Sequence, residues 1–149
     1  MKTFNQYLIE LMTKSDIPSN LETRVIKTKL GDHFDRYYYT SRHNGMIINT
    51  SVTQKKDSPQ SGHVEFSVDG SIDNTLNKTT PLNAAKILNV VSSHLSQHRQ
   101  NNREVEGYTY TTDDETKDRI YKKMGKINNF PVKNIQKPIA KGFSIKDKK

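Results

Sequence analysis

The chain has 149 residues, 32% of them hydrophobic, no cysteine and a formal net charge of +8, with a mean hydropathy of −0.87. Such a length holds one modest core and excludes two independent ones, and the low apolar content leaves part of the chain as polar loop or tail. Without cysteine there is neither a disulfide framework nor a thiolate metal ligand, and no apolar run reaches the roughly 18 residues that a membrane-spanning helix needs.

At the N-terminus, Phe4, Tyr7, Leu8, Leu11 and Met12 recur with helical spacing and predict an amphipathic helix within residues 1–15. Thr3 and Gln6 have the spacing of a capping box, and Pro18 closes the segment. So short a helix needs a surface to dock on, or serves as a detachable address segment. The segment lacks the basic start and apolar block of a secretion signal, which predicts a protein not exported by that route.

From about Glu22 to Asp69 the period changes to two, predicting an antiparallel meander of four strands. These are Thr23–Leu30, then Phe34–Thr40 with Tyr37, Tyr38 and Tyr39, then Met46–Thr53 behind an Asn44-Gly45 turn, and a fourth strand around Val64, Phe66 and Val68. Asp57, Ser58, Pro59 and Gly62 read as the loop before that fourth strand. Thr80-Pro81 opens a helix whose apolar stripe is Ala84, Ile87, Leu88, Val91 and Leu95, ending near His98 to Asn102.

Val105–Thr111 predicts a fifth strand, and Thr112-Asp113-Asp114-Glu115 a capping box for the last helix. That helix buries Ile120 and Met124 and stops at Gly125. Beyond Phe130-Pro131 no period survives, so residues 131–149 read as a basic, flexible tail behind an α+β domain over residues 16–130.

The charge is concentrated. Residues 1–116 carry 13 Lys/Arg against 14 Asp/Glu, while residues 117–149 carry 11 Lys/Arg against 2 Asp. Lys117, Arg119, Lys122, Lys123, Lys126, Lys133, Lys137 and Lys141 therefore form a candidate surface for a polyanion, either nucleic acid or an acidic protein. The competing reading is a solvated lysine tail that aids solubility.

Little else carries chemistry. His94 and His98 stand at i, i+4 on the Pro81 helix, but the segment lacks the glutamate of a zinc-protease helix and no third ligand is evident, so both read as polar helix-edge residues and no metal site is assigned. The chain has no Gly-rich phosphate loop and no Gly-x-Ser-x-Gly elbow. Tyr37 to Tyr39, with Tyr108 and Tyr110, could stack bases if exposed; ordinary sheet packing is the competing reading.

Two resemblances extend this reading. The order of four strands, helix, strand and helix is similar to the central part of the GNAT N-acetyltransferase fold, and Ile120-Tyr121-Lys122-Lys123-Met124-Gly125 resembles the tyrosine-containing helix near the end of many such enzymes. That resemblance implies acetyl-CoA as cofactor and Tyr121 as the acid that reprotonates the leaving thiolate. The family's pyrophosphate loop is replaced by Asp69-Gly70-Ser71-Ile72-Asp73-Asn74, which lacks its glycines and is acidic.

The opening residues Met1 to Glu10 resemble those of many small proteins of contractile-tailed bacteriophages, where a similar segment directs packaging and is cut after Leu/Ile-x-Glu. Leu8, Ile9 and Glu10 match that rule. The resemblances together imply a phage accessory or virion-associated protein, in the host cytoplasm or the virion, that binds instead of catalysing. The alternatives are an acyltransferase with a divergent acetyl-CoA site and a structural component of head, neck or tail.

Overall fold

Six strands and two helices form a mixed α+β architecture in the computed structural model, which describes Gln6 and residues 21–43, 45–69, 81–113 and 115–136. In chain order these are β1 (Arg24–Leu30), β2 (Phe34–His43), β3 (Met46–Lys55), β4 (Ser58–Val68), α1 (Pro81–Asn101), β5 (Gly107–Tyr110), α2 (Glu115–Asn128) and β6 (Val132–Asn134). The expected N-terminal helix lies outside the described residues apart from Gln6, as do Leu8, Ile9, Glu10, Lys137 and Lys141.

The strands make one sheet in the order β1-β2-β3-β4-β5-β6. β1 to β4 pair antiparallel through short turns, whereas β5 and β6 each join in parallel, so α1 and α2 serve as the crossovers that parallel pairing requires. The two-residue turn between β2 and β3 places Gly45 at φ 78.

Both helices cover one face of the sheet. Along β3 burial alternates strictly, with Ile48, Thr50, Val52 and Gln54 inward, because side chains of a strand point to opposite faces. Tyr39, Val64, Val68 and Tyr108 complete that inner face, and Ala84, Ile87, Leu88, Val91 and Leu95 of α1 pack on it together with Ile120 and Met124 of α2. Each Ile, Leu, Val or Met side chain among these that is fully withdrawn from water stabilises the fold by about 1.5–3 kcal/mol. β1 is not covered; all seven of its residues are exposed.

Several sequence expectations are corrected. The order expected closes on a structureless tail, whereas the strands and helices of the described residues run from β1 to β6, with a sixth strand past the second helix. Ser58, Pro59 and Gly62 belong to β4 and not to a loop: a register irregularity at Gln54 and Lys55 lets the strand start early, and a Cβ on Gly62 would stand 2.6 Å from Val52 Cγ1. α2 does not stop at Gly125. It continues to Asn128, and Asn129, at φ 59, supplies the left-handed residue while the Phe130 N–H closes on the Gly125 carbonyl at 3.0 Å, a Schellman ending.

The supposed tail after Pro131 contributes β6, whose three residues are too few to leave a period in the sequence. They are held by long-range pairing with Tyr108 to Tyr110. Among the described residues no helix is long and apolar enough to cross a membrane.

Candidate functional site

The cations of α2 divide by helical phase. Arg119, Lys122 and Lys126 recur at i, i+3 and i+7, with Lys123 beside them, opposite the buried Ile120 and Met124. Arg119, Lys122 and Lys126 are exposed and Lys123 half-buried. Lys117 falls off this stripe, in line with Tyr121 at i+4 and half-buried. Lys133, on β6, lies on the far side of the sheet, because its neighbours Val132 and Asn134 face the helices. The structure thus brings together Arg119, Lys122, Lys123 and Lys126, and separates Lys117 and Lys133 from them.

One of the four is partly neutralised. Lys122 Nζ stands 3.0 Å from Asp118 Oδ2, one turn back on the helix. Lys122 and Lys126 also border an open groove of about 440 Å³ lined by Asn129, Phe130, Pro131 and Val132.

Asp118 is the centre of a second cluster. Its side chain accepts from the Tyr110 hydroxyl at 2.5 Å and from the Asn134 amide at 3.2 Å. Burial opposes the charged carboxylate, but the Tyr110 hydroxyl, Lys122 and Asn134 outweigh it and hold Asp118 below the ordinary carboxylate range. Asn134 also donates to the Thr112 carbonyl at 2.8 Å, so one amide ties β6 to the entry of α2.

Tyr121 stacks on Tyr110 with centroids 4.2 Å apart and meets Phe66 edge-on at 6.3 Å. β4 pairs with β5 only from Ser61 to His63; from Val64 to Val68 it stays paired with β3 but leaves its other edge open. The Tyr121 ring thus spans the part of β4 that β5 does not pair, at Phe66, and β5 itself, at Tyr110. Burial, with the Glu65 carboxylate, pushes the Tyr121 hydroxyl well above its ordinary value, so it stays protonated.

The histidine pair is not at a helix edge. His94 and His98 are both fully buried against the inner sheet face. The His94 ring bridges Ser41 Oγ through Nε2 and Thr50 Oγ1 through Nδ1, each at 2.8 Å. His98 Nε2 donates to Gln54 Oε1, which leaves Nδ1 to accept from the Tyr39 hydroxyl at 2.5 Å. Both nitrogens of each ring are therefore spent on hydroxyl and amide partners. The Ser41–His94 contact has the composition of a nucleophile and base, but both side chains are sealed from any substrate.

Most of the tyrosine platform is also internal. Tyr39, Tyr108 and Tyr110 lie beneath the helices, and Tyr37 meets the His98 ring edge-on at 4.7 Å, so the base-stacking reading fails for these four. Tyr38 alone of the five points to the open face. Sequence reasoning missed the partners Thr50, Gln54, Asp118 and Asn134. Only inward phase could have found Thr50 and Gln54, at even steps from Ile48 and Val52.

Comparison of the chain with family models, with curated proteins and with solved structures finds no match.

Proposed function

We propose that this chain is a non-catalytic binding protein that contacts nucleic acid through its cationic C-terminal third. The observation that carries the reading is the stripe of Arg119, Lys122, Lys123 and Lys126 on the outward side of α2, within a stretch of 11 Lys/Arg against 2 Asp. A helix holds such cations at fixed separations of roughly 5–6 Å between i, i+3 and i+4 neighbours, so several phosphates can be neutralised without first ordering a flexible segment. Lys137 and Lys141 extend the same charge along the chain.

The missing pyrophosphate loop supports a core that binds without acyl transfer, and the opening residues support an accessory or virion-associated setting in a phage. Titrating a labelled oligonucleotide over a series of salt concentrations tests the reading. The logarithm of affinity should fall linearly with the logarithm of salt, and replacing the four stripe cations by alanine should flatten that slope by up to about 3. Salt-independent binding, or no binding to DNA or RNA, would remove the proposal.

A further inference from the structure

The face of the sheet opposite the helices has a composition of its own. The pairing registers align Thr28, Arg36, Thr53, His63, Thr109 and Lys133 in one row that crosses all six strands, about 24 Å at the usual strand spacing. The adjacent row holds Ile26, Tyr38, Ser51 and Glu65. On the other side of the first row stand Leu30, Phe34 and Lys55. Both helices pack on the opposite face.

Two features of this face point to the same class of ligand. Arg24, Arg36, Arg42, Lys55 and Lys133 outnumber the acid of its strands, Glu65, with Glu22 at the rim. Arg24, Arg42 and Glu22 border an open groove of about 410 Å³. The aromatic rings of the face lie within that charge. Phe34 and Tyr38 flank Arg36 on β2, each roughly 7 Å from it along the strand, and Phe34 is 38% exposed. The Arg36 guanidinium is already oriented, donating from Nε to Thr53 Oγ1 at 2.9 Å.

We infer that this face is a binding platform for single-stranded nucleic acid, with bases stacked on Tyr38 and Phe34 and phosphates on the surrounding arginines and lysines. Unpaired bases offer their faces to the exposed Phe34 ring and the half-buried Tyr38 ring, whereas a duplex keeps them stacked inside. A broad sheet also lacks the protruding helix that enters a major groove. The hydroxyls of Thr28, Ser51, Thr53 and Thr109 supply neutral donors and acceptors between the cations. The inference rests on the preceding proposal for the class of partner, but uses a different surface.

A short fluorescein-labelled oligothymidylate, its RNA counterpart and a duplex of equal length test it by fluorescence anisotropy on the full chain. The single strands should bind more tightly than the duplex. Tyr38→Ala should weaken them about 5- to 100-fold with the salt slope unchanged, because stacking releases no counterions. Tyr38→Phe should bind like the wild type, which separates loss of the ring from loss of folding. Lys55→Ala should flatten the slope by about 0.7.

Wild-type affinity in both Tyr38→Ala and Phe34→Ala, or a preference for the duplex, would overturn the platform. So would binding of poly-glutamate in preference to every oligonucleotide. If these variants bind normally and the α2 stripe variant does not, the sheet inference falls and the helix proposal stands. Weakened binding in the ring variants with a fully active stripe variant would instead keep the sheet platform and remove the helix as the contact surface.

Discussion

The Tyr39 hydroxyl on β2 donates to Nδ1 of His98 on α1 across 2.5 Å, in a place from which both side chains are almost wholly withdrawn from water. The bond joins the sheet to its longest helix, and its direction is set by Gln54, which takes the Nε2 proton of the same ring. His94, one turn earlier, repeats the device with Ser41 and Thr50. A polar chain therefore runs through the apolar core, with each ring nitrogen satisfied. Such a chain fixes the register of α1 on the sheet, because a shifted helix would leave buried donors and acceptors unpaired.

Tyr39→Phe removes one hydroxyl and leaves Nδ1 of His98 without this donor, at an expected cost of about 1–3 kcal/mol. His98→Ala strands both Tyr39 and Gln54 and opens a cavity, and should cost roughly 3–5 kcal/mol. Urea unfolding of the two variants and of the double variant measures this. The double variant should be less destabilised than the sum of the singles, since one bond is removed in both.

Acid should act through the same pair. Burial lowers His94 and His98 from 6.5 to about 4. In the unfolded chain each histidine takes up a proton below about 6.5, whereas in the folded chain it stays neutral until about 4. Their stabilisation is therefore full above pH 6.5 and lost progressively as the pH falls to about 4, on the order of 3 kcal/mol for each at about 1.4 kcal/mol per unit. Melting temperatures measured across that window should fall steadily, and a flat profile would contradict the neutral, buried state of the pair.

Asp118 should respond at lower pH. Its folded value lies below the ordinary 3.8, so its stabilisation is present above that value and is lost as the pH falls through the folded one. Tyr110→Phe deletes the 2.5 Å bond and should raise the Asp118 titration midpoint, with a stability cost of about 1.5–3 kcal/mol. Carbon-detected NMR of the carboxylate reads the first effect directly. An unshifted midpoint would mean that Tyr110 does not hold the charge.

Gly125 sets two effects against each other. Helix propensity alone predicts that Gly125→Ala stabilises by about 1 kcal/mol. The new Cβ would stand 2.8 Å from the Phe130 carbonyl oxygen and 3.0 Å from Val132 Cγ1, and the strain of moving that backbone, about 1–3 kcal/mol, should win. Asn129→Gly is the control, expected to be near neutral because φ 59 suits glycine. A stabilised Gly125→Ala variant would show that the turn into β6 gives way easily.

The sequence by itself determined the local features. The stripe from Ala84 to Leu95 and the alternation of Met46–Thr53 state their periods within a few residues, and the charge of α2 is a count. Inward or outward phase could also be read wherever apolar residues mark it, as Ile48 and Val52 do on β3.

Tertiary structure decided the rest, because it depends on residues distant in the chain. His94 and His98 look like edge residues until Ser41, Thr50, Tyr39 and Gln54 arrive from two strands to satisfy them. Gly125 reads as a helix end until the turn at Asn129 is seen, and Val132–Asn134 become a strand only when β5 offers its open edge. Likewise, nothing in the order of Phe34, Arg36 and Tyr38 tells that the helices cover the other face of the sheet. Burial is a property of what packs on a residue, and a period of two is the same on both faces.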